Sequence, residues 1–311
     1  MSNGEDAITG WFAEQRKLPE DKFPIGIGDD MAQVCPGGDG SVLLTTDMLL
    51  EGVHFDLESA TLEQVGYKAM AVSLSDCAGM VTRPLAAVVS VALPGRFGQD
   101  ELKKLHKGII KASDKYDCPL IGGDITVWKG EGGSVVNSAM LSASVSGKPL
   151  LRSGAKVRDC ICVTGRLGGS GEGKHLEFQP RLAEAEKVAS IAQLNSGMDL
   201  SDGLSSDLRR ICKQSNVGAV IEEQFIPISD EAERRDDPLK SALCEGEDFE
   251  LLFTLSETEY EKLKSEWNEP LEISCIGRIT EDKDIVIKYK NGKVEPLPAG
   301  GYDHFRKSEK S

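Results

Sequence analysis

The residues of this 311-residue chain best suited to chemistry are aspartates set at the ends of apolar stretches. Asp47 follows Val42-Leu43-Leu44-Thr45-Thr46, which reads as a buried strand. Leu62, Val65, Ala69 and Val72 step by three and four, a helical stripe whose next step lands on Asp76. Asp124 follows Leu120-Ile121-Gly122-Gly123, where two glycines let backbone approach a ligand closely. Met198-Asp199-Leu200-Ser201-Asp202-Gly203 opens onto a helical pattern of Leu204, Leu208 and Ile211, and Ser201 or Asp202 could equally be its N-cap. Glu245-Gly246-Glu247-Asp248 runs into the strand-like Phe249-Glu250-Leu251-Leu252-Phe253. A carboxylate held in apolar surroundings is costly unless its charge is met. From Phe23 to Tyr67 there are eight carboxylates and no Lys or Arg, so a distant arginine or a metal cation must meet it. Asp39, Asp56, Glu58 and Glu63 read as a solvated face. The rest are oxygen ligands of the kind Mg²⁺ takes, and their recurrence points to Mg²⁺-supported phosphate chemistry.

The scaffold needed to position them is mixed α and β. Strands are expected over 42–46, 85–93, 135–146, 160–164, 219–222, 249–254, 273–279 and 285–289, and helices over 62–76, 100–116, 181–192, 204–214 and 257–267. Gly147-Lys148-Pro149 is the best boundary, dividing the chain into domains 1–148 and 149–311. With 36 basic against 51 acidic side chains the net charge is −15, which argues against nucleic acid or an anionic membrane as partner. No apolar run approaches a membrane span, and Met1 to Lys17 lacks a signal-peptide layout. Eight cysteines without a C-x-x-C pair read as reduced core thiols of a cytoplasmic protein. Gly168-Gly169-Ser170-Gly171-Glu172-Gly173-Lys174-His175 nearly matches a phosphate loop. His175 stands where a Ser or Thr hydroxyl should meet Mg²⁺, and Glu177-Phe178-Gln179-Pro180 breaks the helix that should follow, so a Gly-rich connection is the better reading.

In order, these segments resemble the motif series of the thiamine-monophosphate kinase family, within the superfamily of aminoimidazole ribonucleotide synthetase, selenophosphate synthetase and hydrogenase maturation protein E. The matching stretches are Gly28-Asp29-Asp30, Thr45-Thr46-Asp47-Met48, Glu51-Gly52-Val53-His54-Phe55, Gly66-Tyr67-Lys68-Ala69, Leu74-Ser75-Asp76, Gly122-Gly123-Asp124, Arg152-Ser153-Gly154-Ala155, Met198 to Leu204 and Gly246 to Leu251. The resemblance implies an α/β (α+β) two-domain fold whose N-terminal sheets pair into a barrel across a homodimer. It implies ATP-dependent phosphorylation of thiamine monophosphate to thiamine diphosphate, with several Mg²⁺ ions and ATP as co-substrate. Asp30, Thr45, Thr46, Asp47, Asp76, Asp124, Asp199 and Asp202 match metal-binding positions. Gly123, Asp124, Arg152, Ser201 and, more loosely, His106 match the nucleotide side. His54, Glu247 or Asp248, and Tyr302 in Gly300-Gly301-Tyr302-Asp303-His304-Phe305 match the substrate side.

The residues by themselves leave alternatives open. His54 between Val53 and Phe55 is also a structural histidine, Arg152 a surface charge, and Tyr302 an anchor for the tail. His106 stands where an aromatic residue against adenine is expected, and it lies one turn after Leu102, so a core or edge role is equally open. Ile125 replaces a threonine common after Gly-Gly-Asp. Rival readings are a synthetase of the same superfamily acting on another acceptor, a non-catalytic Mg²⁺-nucleotide binding module, and a two-metal phosphohydrolase.

Overall fold

A computed structural model describes residue 14 and residues 19–37, 40–145 and 147–302. The helical stripe becomes α1 (Leu62–Gly79), whose capping box is closed by Thr61 and Gln64, the Gln64 amide donating to Thr61 Oγ1 at 3.2 Å and the Thr61 amide to Gln64 Oε1 at 2.9 Å. Almost every residue of α1 from Val65 to Gly79 is buried, which marks it as a helix at the centre of the molecule.

The first half contains β1 (Ala32–Gly37), β2 (Gly40–Leu50), β3 (Thr82–Leu93), α2 (Gln99–Lys115), β4 (Leu120–Val127) and β5 (Val135–Ser144). They form a five-stranded mixed sheet in the order β1-β2-β5-β3-β4, antiparallel except for β3 with β4. Leu43, Leu49, Val89, Val91, Val136 and Met140 face α1 and α2 and form the core with Val65, Ala69, Leu105 and Ile109. On the other face Leu44, Met48, Leu85, Val88 and Leu141 are exposed; on the edge strand β4 Ile121 is exposed too, as are Ile125 and Val127, which pair with the core-facing Val91 and Leu93.

The second half contains β6 (Cys160–Thr164), α3 (Lys174–Glu177), α4 (Leu182–Ile191), β7 (Leu194–Asp199), α5 (Leu204–Ser215), β8 (Gly218–Glu222), α6 (Pro238–Cys244), β9 (Leu251–Leu255), α7 (Glu257–Glu266), β10 (Ile273–Thr280), β11 (Ile285–Lys288) and β12 (Val294–Pro296). Its seven-stranded mixed sheet runs β12-β11-β8-β10-β6-β9-β7. Ile161, Val163, Ile221 and Leu252 pack with Leu208 and Ile211 of α5, while Cys162, Leu251 and Phe253 pack with Val188 of α4 and Leu263 of α7. The two-domain α/β architecture with mixed sheets is therefore as expected. Between β5 and β6 the described residues form neither helix nor strand.

The halves share their packing. Phe178 and Phe249 stack with ring centroids 3.9 Å apart inside the first half's core, and Tyr67 Oη donates to the Phe178 carbonyl at 2.9 Å. Several elements differ from expectation. β2 continues through Leu50, so Asp47 lies within the strand, paired with Ser138, and not at its end. β1, β4, β7, β12, α3 and α6 are additional, and their sequences are short or rich in Gly and polar residues. The strand expected over 135–146 ends at Ser144. No helix among the described residues is long and apolar enough to cross a membrane.

Candidate active site

Three elements converge where the halves meet. Asp76 sits in the last turns of α1, Asp199 at the end of β7, and Asp30 in the turn before β1. One carboxylate oxygen from each lies within 4.8 Å of the others. Gly79 permits this approach: a Cβ there would sit 2.6 Å from the Asp199 amide nitrogen and 2.7 Å from Asp30 Oδ2. Hydroxyls orient the acids. Thr45 Oγ1 donates to Asp76 Oδ2, Ser75 Oγ to Asp199 Oδ2 at 2.6 Å, and Ser73 Oγ to Asp47 Oδ2 at 2.6 Å.

Burial pushes the carboxyls of Asp76 and Asp199 well above the ordinary value, and neighbouring carboxylates push further: Asp47, Asp199 and Asp30 on Asp76, chiefly Asp30 on Asp199. Asp47 is raised by the same burial, opposed by its bond from Ser73. Arg152 provides a distant cation, but it serves Asp30, donating from Nε at 2.9 Å and from Nη2, while its backbone amide donates to Asp29. Asp47, Asp76 and Asp199 receive hydroxyls only among the hydrogen bonds described, and Asp30 Oδ2 is buried with no hydrogen-bond partner. Uncompensated carboxylates with an orphaned oxygen between them fit a hard divalent cation.

The cluster opens into a cavity of about 720 Å³ lined by Thr46, Asp47, His54, Asp76, Asp199, Ser201, Asp202, Glu247 and Tyr302. Most of the expected site residues are thus brought together from both halves. In the same cavity the rings of His54 and Tyr302 are 6.5 Å apart and tilted, and His54 Nδ1 accepts from the Leu50 amide at 3.1 Å. Glu247 is held by Lys68, whose Nζ donates to Glu247 Oε1 at 2.5 Å and to the His54 carbonyl at 2.7 Å. Burial pulls the Lys68 ammonium down and Glu247 pushes it back up. Glu247 and Phe249 adopt φ of 64° and 51°, left-handed backbone that is unfavourable for such side chains and concentrated at functional sites.

Other expected residues lie elsewhere. Asp248 faces away from the cavity: its carboxylate accepts from the Gly168 amide at 2.9 Å and Ser170 Oγ at 2.8 Å, and burial raises it to about 7. Glu245 accepts from the Gly169 amide at 2.8 Å. Amides that a phosphate loop would offer to a nucleotide are thus occupied by the protein's own carboxylates. Neither Ser201 nor Asp202 caps α5, whose N-cap is Gly203; Asp202 Oδ2 instead accepts from Arg210 Nη1 at 2.5 Å. Thr46 Oγ1 donates to the Ser138 carbonyl at 2.8 Å.

Gly123, Asp124 and the exposed His106 line a second cavity of about 600 Å³ between α2 and β4. Asp124 pairs with Ser90, Ser90 with Asn137, and Asn137 with Met48, so Asp124 belongs to the sheet face opposite Asp47. It is exposed and outside the carboxylate cluster. Asp303, His304 and Phe305 lie outside the described residues.

Lys68 was given no role by the sequence reading, although a lysine within the apolar Tyr67-Lys68-Ala69-Met70-Ala71-Val72 is a signal of a buried acid to pair with. Arg210, bridging Asp202 and the buried Asp207, carried no comparable signal.

Comparison with known proteins agrees with this architecture. Residues 28–144 match the AIR synthase related protein N-terminal domain and residues 129–290 the corresponding C-terminal domain. The thiamine-monophosphate kinase of Rhodopirellula baltica is 33% identical over 305 residues, covering 93% of each chain. That of Escherichia coli K12 is 32% identical over 332 residues, covering 98% of this chain and 99% of its own. Among solved structures, AaThiL complexed with AMPPCP and TMP superposes with a TM-score of 0.81 at 28% identity, covering 97% of both chains. With both domains matched in order and relatives of this identity along nearly the whole length, the chain belongs to the thiamine-monophosphate kinase family of AIR synthase related proteins.

Proposed function

We propose that the chain transfers the γ-phosphoryl group of ATP to thiamine monophosphate, giving thiamine diphosphate, in the cytoplasm and as a homodimer. The observation that carries this reading is a single cavity lined both by the under-neutralised carboxylates Asp47, Asp76 and Asp199 and by His54, Tyr302 and Glu247. The family supports it, since its members are named for this activity and AaThiL is complexed with AMPPCP, an ATP analogue, and TMP.

Two negatively charged phosphates must approach each other, so the work is positioning and charge neutralisation with little call on a protein acid or base. Asp30, Asp47, Asp76 and Asp199 would hold Mg²⁺, with Thr45, Thr46 and Asp202 beside them and Asp124 reaching the nucleotide from the second cavity. Bound there, Mg²⁺ would neutralise the charge spread over the transferring oxygens. Gly123, His106, Arg152 and Ser201 are assigned to the nucleotide. His54 and Tyr302 offer ring faces to the thiamine, and Lys68 holds the Glu247 side chain in place beside them. Asp248 is assigned to holding the Gly168–Ser170 loop. Residues 1–148 serve as the ATP-binding and dimerisation domain and 149–311 as the C-terminal domain. The exposed apolar face of the five-stranded sheet supports pairing with a second copy into a barrel, since so large an apolar patch on a lone chain marks an interaction surface.

Mass spectrometry of a reaction containing purified protein, ATP, Mg²⁺ and thiamine monophosphate, with unphosphorylated thiamine as control, tests the proposal. Thiamine diphosphate formed only from the monophosphate is expected. Inorganic phosphate released without acceptor, or ATP bound without turnover, would replace the kinase by a phosphohydrolase or a binding module.

A further inference from the structure

Away from the phosphate site, the seven-stranded sheet gathers three of the eight cysteines. Cys160 and Cys162 are buried on one face of β6, and Cys275 lies opposite Cys162 on β10, half-buried. The ladder fixes how the pair meets. Gly165 donates its amide to the Glu272 carbonyl at 2.9 Å, so 165/272 is a hydrogen-bonded pair. Pairs alternate along an antiparallel ladder, which makes 164/273 open, 163/274 bonded and Cys162/Cys275 open. Open pairs bring Cα atoms to about 4.5 Å and their side chains closest together, inside the range a disulfide spans.

The surroundings favour reaction at Cys275. The bulge after it sets Arg278 opposite Cys160, and the guanidinium donates to Cys160 Sγ while its other nitrogen reaches Glu257 at 3.0 Å. Hydrogen bonds from the Cys160 and Cys162 thiols hold Cys275 below the ordinary thiol range, and both partners are raised. Thiolate character and access together decide which cysteine an oxidant finds. Cys275 has both, whereas Cys77, Cys118 and Cys212 are buried, and burial raises all three.

We propose that Cys275 is a peroxide-reactive thiol that closes a reversible disulfide with Cys162 across β6 and β10. The Cys275 thiolate attacks a peroxide oxygen; the O–O bond breaks, and with a proton from solvent the products are a sulfenic acid and water. The Cys162 sulfur then attacks the sulfenic sulfur, losing its proton as the S–O bond breaks and a second water leaves. Two thiols give up two electrons and two protons, and one hydrogen peroxide becomes two waters. A dithiol reductant reverses the bond by thiol exchange. This chemistry is independent of phosphoryl transfer and stands or falls apart from it.

The test uses the full chain, treated with hydrogen peroxide, blocked with N-ethylmaleimide, digested with trypsin and mapped by mass spectrometry. Cys160 and Cys162 share the tryptic peptide Asp159 to Arg166, so fragmentation of the wild-type product assigns the partner even if a variant fails to fold. The expected product joins Cys275 to Cys162, forms about tenfold faster than oxidation of Cys77, Cys118 or Cys212, disappears on adding dithiothreitol, and persists in Cys160→Ser but not in Cys162→Ser. Cys275 recovered as free thiol or as sulfonic acid with Cys162 still reduced would overturn the proposal, as would a bond to Cys160.

Discussion

Asp47 shows how far single residues can be read. Its strand setting and the lack of nearby bases marked it as a carboxylate needing a cation, and its side chain does point inward to Ser73 beside Asp76. Asp47→Asn keeps shape and hydroxyl contact but removes charge, so kcat/KM should fall about 10²–10³-fold with the melting temperature preserved. Near wild-type turnover in that variant would remove Asp47 from the site. Lys68 makes the complementary case. Lys68→Met strands Glu247 in a half-buried position, and urea denaturation should report a loss of about 1–3 kcal/mol. KM for thiamine monophosphate should rise more than KM for ATP if Glu247, which lines the cavity, contacts the substrate as proposed. An equal rise in both would detach Lys68 from substrate positioning. Asp124 was legible as an acid behind two glycines, but not its strand face, because pairing register is a tertiary property.

At the scale of elements, periodicity located those with strong patterns. The stripe of α1 and the apolar runs of β3 and β6 all carried their own signal. β7, Leu-Asn-Ser-Gly-Met-Asp, did not, because its strand character comes from pairing with β9 and its burial from α1. The consequence is that Asp199 was legible only as part of a segment preceding a helix, whereas it ends a strand, and the carboxylate cluster is a strand end meeting a helix end. Gly79 is the joint between them. Gly79→Ala places a methyl group where the Asp199 backbone and Asp30 carboxylate already lie, so it should cost about 1–3 kcal/mol and weaken Mg²⁺ dependence more than ATP affinity. An alanine variant with unchanged stability and Mg²⁺ requirement would show that the elements move apart freely.

For the molecule as a whole, holding like charges together without a counter-ion has a measurable signature. Asp76 and Asp199 titrate above the ordinary carboxyl range in the folded chain, so the folded state keeps protons that the unfolded state has released. Stability of the metal-free protein should therefore fall as pH rises from about 4, where unfolded aspartates ionise, toward neutrality. Excess Mg²⁺ with ATP should flatten that slope, and at 100 times the dissociation constant it should add about 2.7 kcal/mol near neutral pH. Calorimetry showing the same pH slope with and without Mg²⁺-ATP would break the link between the carboxyls and the metal. The outer face of the five-stranded sheet could not be foreseen from alternation alone, because both faces of β2 and β3 are apolar. If that face pairs two copies, Val88→Lys should yield monomers in sedimentation velocity, and an unchanged dimer would place the interface elsewhere.

The central claim is that the meeting of α1, β7 and the turn before β1 is a metal seat for phosphoryl transfer. Its most direct test is anomalous diffraction from crystals grown with Mn²⁺, AMPPCP and thiamine monophosphate. The account predicts metal peaks about 2.1 Å from oxygens of Asp30, Asp76 and Asp199, lying between the triphosphate and the substrate phosphate. A nucleotide bound with metal only on its phosphates, and none on these three aspartates, would contradict it.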